Sequence, residues 1–155
     1  MAKTAAIRAM EAAGCSFEPA EYKYVEKGGT KASSQALGVD EHVVIKTLIF
    51  EDEKKRPLIA LMHGDHQVST KSLARHIGTK SITPCTPATA QKHSGYQVGG
   101  TSPFGTRKAM PVYMQASIAC QDDIYINAGK RGFLVRMPAA DLVKALSPEL
   151  VEMQA

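Results

Sequence analysis

A lysine interrupts the apolar run VVIKTLIFE at position 46, and two glycine-rich stretches, GYQVGGTSPFG at 95–105 and INAGKRG at 126–132, lie close to basic residues. Period-two reading of the first stretch puts Val44, Lys46, Leu48 and Phe50 on one face and Val43, Ile45, Thr47 and Ile49 on the other. Both faces are apolar, so the strand is central. An ammonium there loses hydration at a cost that a partner or a water-filled pocket must offset. Either the Lys46 stem packs in the core while its head reaches the rim or a carboxylate, or the ammonium lines a cavity. In a cavity it could bind an anion, polarise a carbonyl or act as a nucleophile.

The glycines ask a related question. Gly99 and Gly100 have no Cβ, so their peptide groups can approach a ligand and adopt positive φ, while Pro103 and Gly105 set a turn around Phe104. The spacing is neither that of a Walker A loop nor that of a strand-to-helix GxGxxG fingerprint. The alternative is a glycine-rich hairpin or bulge with no ligand. Residues 127–132 again pair bare backbone with Lys130 and Arg131, and alone they read as a strand-to-strand turn. Together the loops suggest a pocket for a small anionic or carbonyl group beside a larger, phosphate-bearing ligand.

Other clusters are weaker. His63 and His66 with Asp65 lack a third spaced ligand, so zinc is not expected. Cys85 with His93 could mimic a nucleophile and its base, but no orienting partner is visible and a structural cysteine fits better. Lys71, Arg75, Arg107, Lys108, Lys130 and Arg131 could face phosphate or simply solvent.

These residues need elements to hold them. Thr4 caps a helix through Ala13 that Gly14 ends, Thr30 begins one ended by Gly38, TKSLARHIG is a third, Thr86-Pro87 opens a fourth, and AADLVKAL runs to Ser147-Pro148. Strands are expected at AEYKYV, from Val43 to Glu51, in PLIALM, QVS, MPVYMQ, IYINAG and RGFLVRM. Strands outnumber helices, with no repeat or linker, which indicates one α/β (α+β) domain with a largely antiparallel sheet.

The chain of 155 residues, 44% hydrophobic and 22% charged, is ordinary for a globular domain with its own core. No apolar run reaches a membrane span, and the N-terminal alanines fall at helical spacing, so neither membrane nor export signal is expected. Three scattered cysteines fit a reducing cytoplasm. A formal charge of +4 mildly favours a polyanionic partner.

VIKTLIF, GYQVGGTSPFG and IYINAGKRG, in that order, make the sequence similar over almost its whole length to the YbaK family, bacterial aminoacyl-tRNA deacylases related to the editing insertion of prolyl-tRNA synthetase. The family's KTL is matched by Lys46, Thr47 and Leu48, and its GGxSPxG by Gly99, Gly100, Ser102, Pro103 and Gly105. The resemblance implies a single editing domain over residues 1–155, with a curved, mostly antiparallel, barrel-like mixed sheet flanked by helices. It implies hydrolysis of the ester of mischarged tRNA, most nearly Cys-tRNA(Pro) or a related small-amino-acid tRNA, with no metal and no cofactor. Mischarged tRNA is the expected partner, with prolyl-tRNA synthetase as a second one.

In that frame Lys46 is the catalytic residue, and Tyr22, Gly99, Gly100, Ser102, Pro103, Asn127 and Gly129 bind substrate. Lys46 would orient the ester and the adenosine end while Gly99 and Gly100 hold the aminoacyl carbonyl. Two departures bear on which amino acid is removed. Asn127 stands where cysteinyl deacylases of this type often carry serine, and RGFLV replaces an RGLDI-like strand. The alternatives are a non-catalytic tRNA- or synthetase-binding module of the same fold, and an enzyme using Lys46 as a Schiff-base nucleophile.

Overall fold

The Thr4 hydroxyl accepts the Ile7 amide at 3.0 Å and so opens the first helix, α1 (Ala5–Ala12), as the capping chemistry requires. Ser69 and Thr86 do the same for α3 (Thr70–Ile77) and α4 (Pro87–Ser94), while α2 (Gly29–Leu37) starts without a side-chain cap. Gly38, Gly78 and Gly95 end α2, α3 and α4 in the left-handed conformation. α5 (Ala139–Leu146) stops at Ser147, itself left-handed, before Pro148. The computed structural model describes residues 3–155, and among them no helix is long and apolar enough to cross a membrane.

Among the described residues, eight strands divide between two sheets. β1 (Glu18–Glu21), β7 (Phe133–Pro138) and β6 (Asp123–Lys130) form an antiparallel sheet in that spatial order. The second sheet runs β4 (Ile82–Pro84), β2 (Ile45–Asp52), β3 (Pro57–His63), β5 (Val112–Gln115), β8 (Glu149–Val151). Its β2 pairings are antiparallel and its β3–β5 and β5–β8 pairings parallel. The expected mixed, mostly antiparallel architecture is present, but the strands do not close into a barrel: a parallel bridge between Val44 and Tyr125 links the two sheets.

Alternation along the strands sorts the core. Ile59 and Leu61 of β3 and Ile45 and Ile49 of β2 join Ile124, Ile126 and Ala128 of β6, Met10 of α1 and Leu142 of α5 in the larger cluster. Leu58, Ala60, Met62 and Phe50 point the other way, onto Leu73 of α3 and Met153. Each buried side chain of this kind contributes on the order of 1.5–3 kcal/mol. β2 lies between β3 and β4 with apolar residues on both faces, the central position its sequence implies.

Two strand expectations need correction, and two short strands were not expected. AEYKYV pairs only through Glu21, with one further backbone bond from Tyr22 N–H to Gly132 O at 2.9 Å; beyond it Tyr24 lies against the glycine loop. QVS contributes a single bridge, Val68 to Gln154. β4 and β8, of three residues each, are too short to show a period in the sequence.

Candidate active site

Lys46 is the second residue of β2, opposite Met62. It belongs to the face of Val44, Leu48 and Phe50, away from the larger core cluster. β4 covers the neighbouring edge of β2 only at Phe50–Asp52; near Lys46 that role passes to β6, through the Val44–Tyr125 bridge. Residues paired across a parallel bridge present side chains on the same face. Two residues further along each strand stand Lys46 and Asn127, which therefore share the face opposite Ile124, Ile126 and Ala128.

The ammonium of Lys46 donates to the carbonyl oxygen of His66. Partial burial pushes its pKa below the ordinary lysine value, and the nearby carboxylates of Glu41 and Asp65 oppose that shift. These facts match the first alternative for Lys46: the side chain is half-buried, and its head meets a carbonyl at the rim with carboxylates close by. Thr30 Oγ1 donates to Glu41 at 2.7 Å and keeps that carboxylate occupied.

Asn127 joins the two glycine loops. Its amide nitrogen donates to Gly99 O at 3.1 Å and Lys130 O at 3.3 Å, and its oxygen accepts from Gly129 N–H at 2.7 Å and Lys130 N–H at 3.2 Å. Arg131 adds a second tie: its Nε donates to Val98 O at 2.9 Å, and its guanidinium carbon lies 5.1 Å from the centre of the Tyr24 ring.

The glycines are required first by the protein itself. Gly100 N–H donates to Gln97 O at 2.8 Å, closing a turn in which Gly99 takes φ +91°, as the third residue of a type II turn must. A Cβ on Gly99 would meet the Tyr24 hydroxyl at 2.6 Å, and one on Gly100 would meet Arg131 N at 2.9 Å. Gly100 and Gly129 thus have their amides committed within the protein, whereas Gly99 N–H, on the exposed face of the turn, has no partner among the described residues.

Ser102 and Pro103 lie deeper than substrate-contacting residues would. Both are buried, and Ser102 Oγ accepts the Phe104 amide at 3.2 Å. Tyr96 completes this foundation by donating to Phe104 O at 2.6 Å, and burial pushes its phenol up to about 12, so it stays a donor. A cavity of about 330 Å³ opens between the loops, against Tyr96, Gly100, Gly129, Lys130 and Arg131. Lys46 does not line it. Tyr22 is half-buried one residue past β1, its hydroxyl pKa raised by burial and by Tyr24.

The sequence reading missed Tyr24, the residue in contact with Gly99 and Arg131, because a strand expectation absorbed it. It also missed His42. That ring stacks on His63 at 3.7 Å, and its Nδ1 lies 3.0 Å from Asp65, so His42, Asp65 and His66 bring three potential ligand atoms within 4.8 Å of one another. The third ligand comes from a preceding 3-10 turn at Glu41–Val43. His63 is fully buried between His42 O and Ser117 Oγ, each at 2.7 Å. Lys71 and Arg75 ride on α3, over the smaller core cluster, and are not part of the loop cavity.

The sequence model of the aminoacyl-tRNA editing domain matches residues 27–145, a span that holds Lys46 and both loops. The chain belongs to this family. A protein of Enterococcus faecalis described as a candidate Cys-tRNA(Pro)/Cys-tRNA(Cys) deacylase, EbsC, is 25% identical over 151 residues, 97% of this chain and 92% of that one. A proline–tRNA ligase of Thermodesulfovibrio yellowstonii is 37% identical over 89 residues; the match covers 57% of this chain and 15% of the ligase. Among solved structures, one described as a candidate trans-editing enzyme for prolyl-tRNA synthetase superposes with a TM-score of 0.87 at 20% identity, over 100% of this chain and 99% of that one. The structure of the hypothetical protein APE2540 gives 0.89 at 18% identity, covering 98% and 100%. These two likenesses establish the fold of the editing domain for this chain.

Proposed function

We propose that this editing domain is a trans-acting hydrolase that cleaves the ester of mischarged aminoacyl-tRNA, with Cys-tRNA(Pro) or a tRNA bearing a related small amino acid as substrate. Family membership supports the reaction class, and the name of the E. faecalis relative supports the choice of amino acid and tRNA. The observation that carries the reading is that Lys46 shares its face with Asn127, whose amide holds the Gly99 loop. The whole chain acts as one domain, because α1, outside the matched span, supplies Met10 to the main core.

Ester hydrolysis passes through a tetrahedral oxyanion, and donors positioned in advance stabilise it strongly. Gly99 N–H, free of internal partners, is the donor to the aminoacyl carbonyl; Gly100 cannot share that role, its amide being engaged by Gln97. Lys46 orients the ester and terminal adenosine, and its ammonium offsets developing negative charge. A water oxygen attacks the carbonyl carbon, the ribose oxygen leaves with a proton, and free amino acid and tRNA result. With a cysteinyl substrate, the substrate's own thiol can attack first and expel the ribose oxygen, leaving a cyclic thioester that water then opens to free cysteine.

Lys130 and Arg131, beside the cavity, face the phosphates of the acceptor end. Ser102 and Pro103 hold the loop from beneath, and Tyr22, Asn127 and Gly129 shape the wall. The setting is the cytoplasm, with prolyl-tRNA synthetase as the source of the errors. A synthetase pocket discriminates weakly against small or isosteric amino acids, which is why a second site is useful.

Deacylation of a panel of mischarged tRNAs, with Cys- and Ala-tRNAPro among them, tests this reading. Wild type is expected to release amino acid from at least one, and Lys46→Ala to lose that activity. Tight tRNA binding with no ester loss across the panel would instead establish the non-catalytic module.

A further inference from the structure

A second cluster of chemical groups lies at the other end of β2, five residues or about 17 Å along the strand from Lys46. Glu51 of β2, Cys85 just after β4 and His93 of α4 place a carboxylate oxygen, a sulfur and a ring nitrogen within 4.8 Å of one another. His93 Nε2 lies 3.0 Å from Glu51 Oε2, with the two side chains only 10% and 14% exposed. We propose that Glu51, Cys85 and His93 form a zinc site that fastens α4 to β2 beneath the glycine loop.

The donor set selects the metal. Thiolate and imidazole favour zinc over magnesium or calcium, and the three protein ligands leave the fourth position to water, an open coordination rather than the closed four-ligand one of most structural sites. Tetrahedral bonds of about 2.0–2.3 Å require neighbouring ligand atoms about 3.4–3.6 Å apart. The observed separations reach that range by small side-chain movements.

Charge also balances. A thiolate and a carboxylate neutralise the dication, the imidazole stays neutral, and the thiol proton leaves to solvent as the metal binds. No uncompensated charge remains in a half-buried place.

The backbone holds the three ligands ready. Cys85 N–H donates to Ile49 O at 3.1 Å, Glu51 pairs with Thr83 in the sheet, and Thr86, next to Cys85, caps the helix that carries His93. Cys85 Sγ makes no hydrogen bond among the described residues. The surroundings bear on the loop as well, because α4 ends at Gly95, where the loop begins, and Lys108 N–H returns to His93 O at 3.0 Å. The His42, Asp65 and His66 cluster is the poorer candidate, since the Lys46 ammonium stands beside it and repels a cation.

Cobalt distinguishes the two clusters, because only a thiolate ligand gives a sulfur-to-metal charge-transfer band. The full chain, stripped with a chelator, receives one equivalent of Co²⁺ and then competing Zn²⁺. The expected result is a near-ultraviolet charge-transfer band that zinc abolishes, is lost in Cys85→Ser, and persists in Cys120→Ser and His42→Ala. Zinc should be retained at one ion per chain through gel filtration, raise Tm of the wild type, and leave Tm of Cys85→Ser unchanged. In Glu51→Gln and His93→Gln, affinity should fall at least roughly tenfold. Circular dichroism verifies that each variant is folded. The proposal is overturned if folded wild type shows no charge-transfer band, or if the band survives Cys85→Ser, or if His42→Ala removes the bound metal.

Discussion

The side-chain amide of Asn127 donates to the carbonyl oxygen of Gly99 at 3.1 Å while its own oxygen accepts the amide of Gly129 at 2.7 Å. One side chain therefore sets the distance between two loops that are 28 residues apart in sequence. Asn127→Asp keeps the size and the acceptor but replaces two donated hydrogen bonds by a carboxylate facing two carbonyl oxygens. Deacylation by this variant should fall by about ten- to a hundredfold, and stability by about 1–3 kcal/mol in urea unfolding. Wild-type rates in the aspartate variant would show that loop spacing does not govern catalysis.

Lys46 gives the opposite balance between stability and activity. Burial depresses its pKa, so the folded state binds that proton less readily than the unfolded chain. The cost of charging Lys46 is fully present at neutral pH and fades as pH rises through its folded pKa toward the ordinary lysine value. Lys46→Met removes that cost but leaves His66 O without its donor, and the two effects oppose each other. The variant should unfold within about 1 kcal/mol of wild type at neutral pH, and wild type should gain on it as pH rises. Its deacylation should drop below detection; retained turnover would remove Lys46 from the mechanism.

Asp52 closes the β2–β3 hairpin at the end of β2 away from Lys46. Burial pushes its carboxyl up, but the amide and guanidinium of Arg56 and the amide of Lys54, at 2.7–2.9 Å, outweigh that and hold it below the ordinary aspartate range. A depressed carboxylate stabilises the fold above its unfolded pKa, and this contribution disappears as pH falls through the folded pKa. Asp52→Asn should therefore lower the urea midpoint at neutral pH, and the gap should close on acidification. A gap that stays constant through the acid range would assign the effect to hydrogen-bond geometry instead.

How far the sequence reveals this site depends on the range of the interactions. The Thr4 and Thr86 caps, the terminating glycines and, two residues later at its start than expected, the central strand around Lys46 follow from local chemistry. That Lys46 and Asn127 share a face does not, because it follows from a single bridge between residues 81 apart, Val44 to Tyr125. Tyr24 was hidden for a similar reason: its alternation with Tyr22 matches a strand, yet the partner strand ends opposite Glu21. Gly99 and Gly100 stood out by composition, but what presses on each is visible only once the chain has folded.

That difference separates the two glycines. At Gly99 an added Cβ strikes the far end of the Tyr24 side chain, which can swing aside, although φ +91° strains any other residue by about 1–2 kcal/mol. At Gly100 it strikes the backbone of Lys130 and Arg131, which can move only by separating the loops. Gly99→Ala should leave a folded protein whose exposed turn amide, the donor to the developing oxyanion, is displaced, visible mainly as a lowered kcat for mischarged tRNA. Gly100→Ala should lower kcat and Tm together, since the Asn127 and Arg131 ties cannot both be kept when the loops part. Thermal melts with deacylation kinetics on both variants decide the matter, and a Gly100→Ala protein with normal Tm and kcat would show that the two loops tolerate separation.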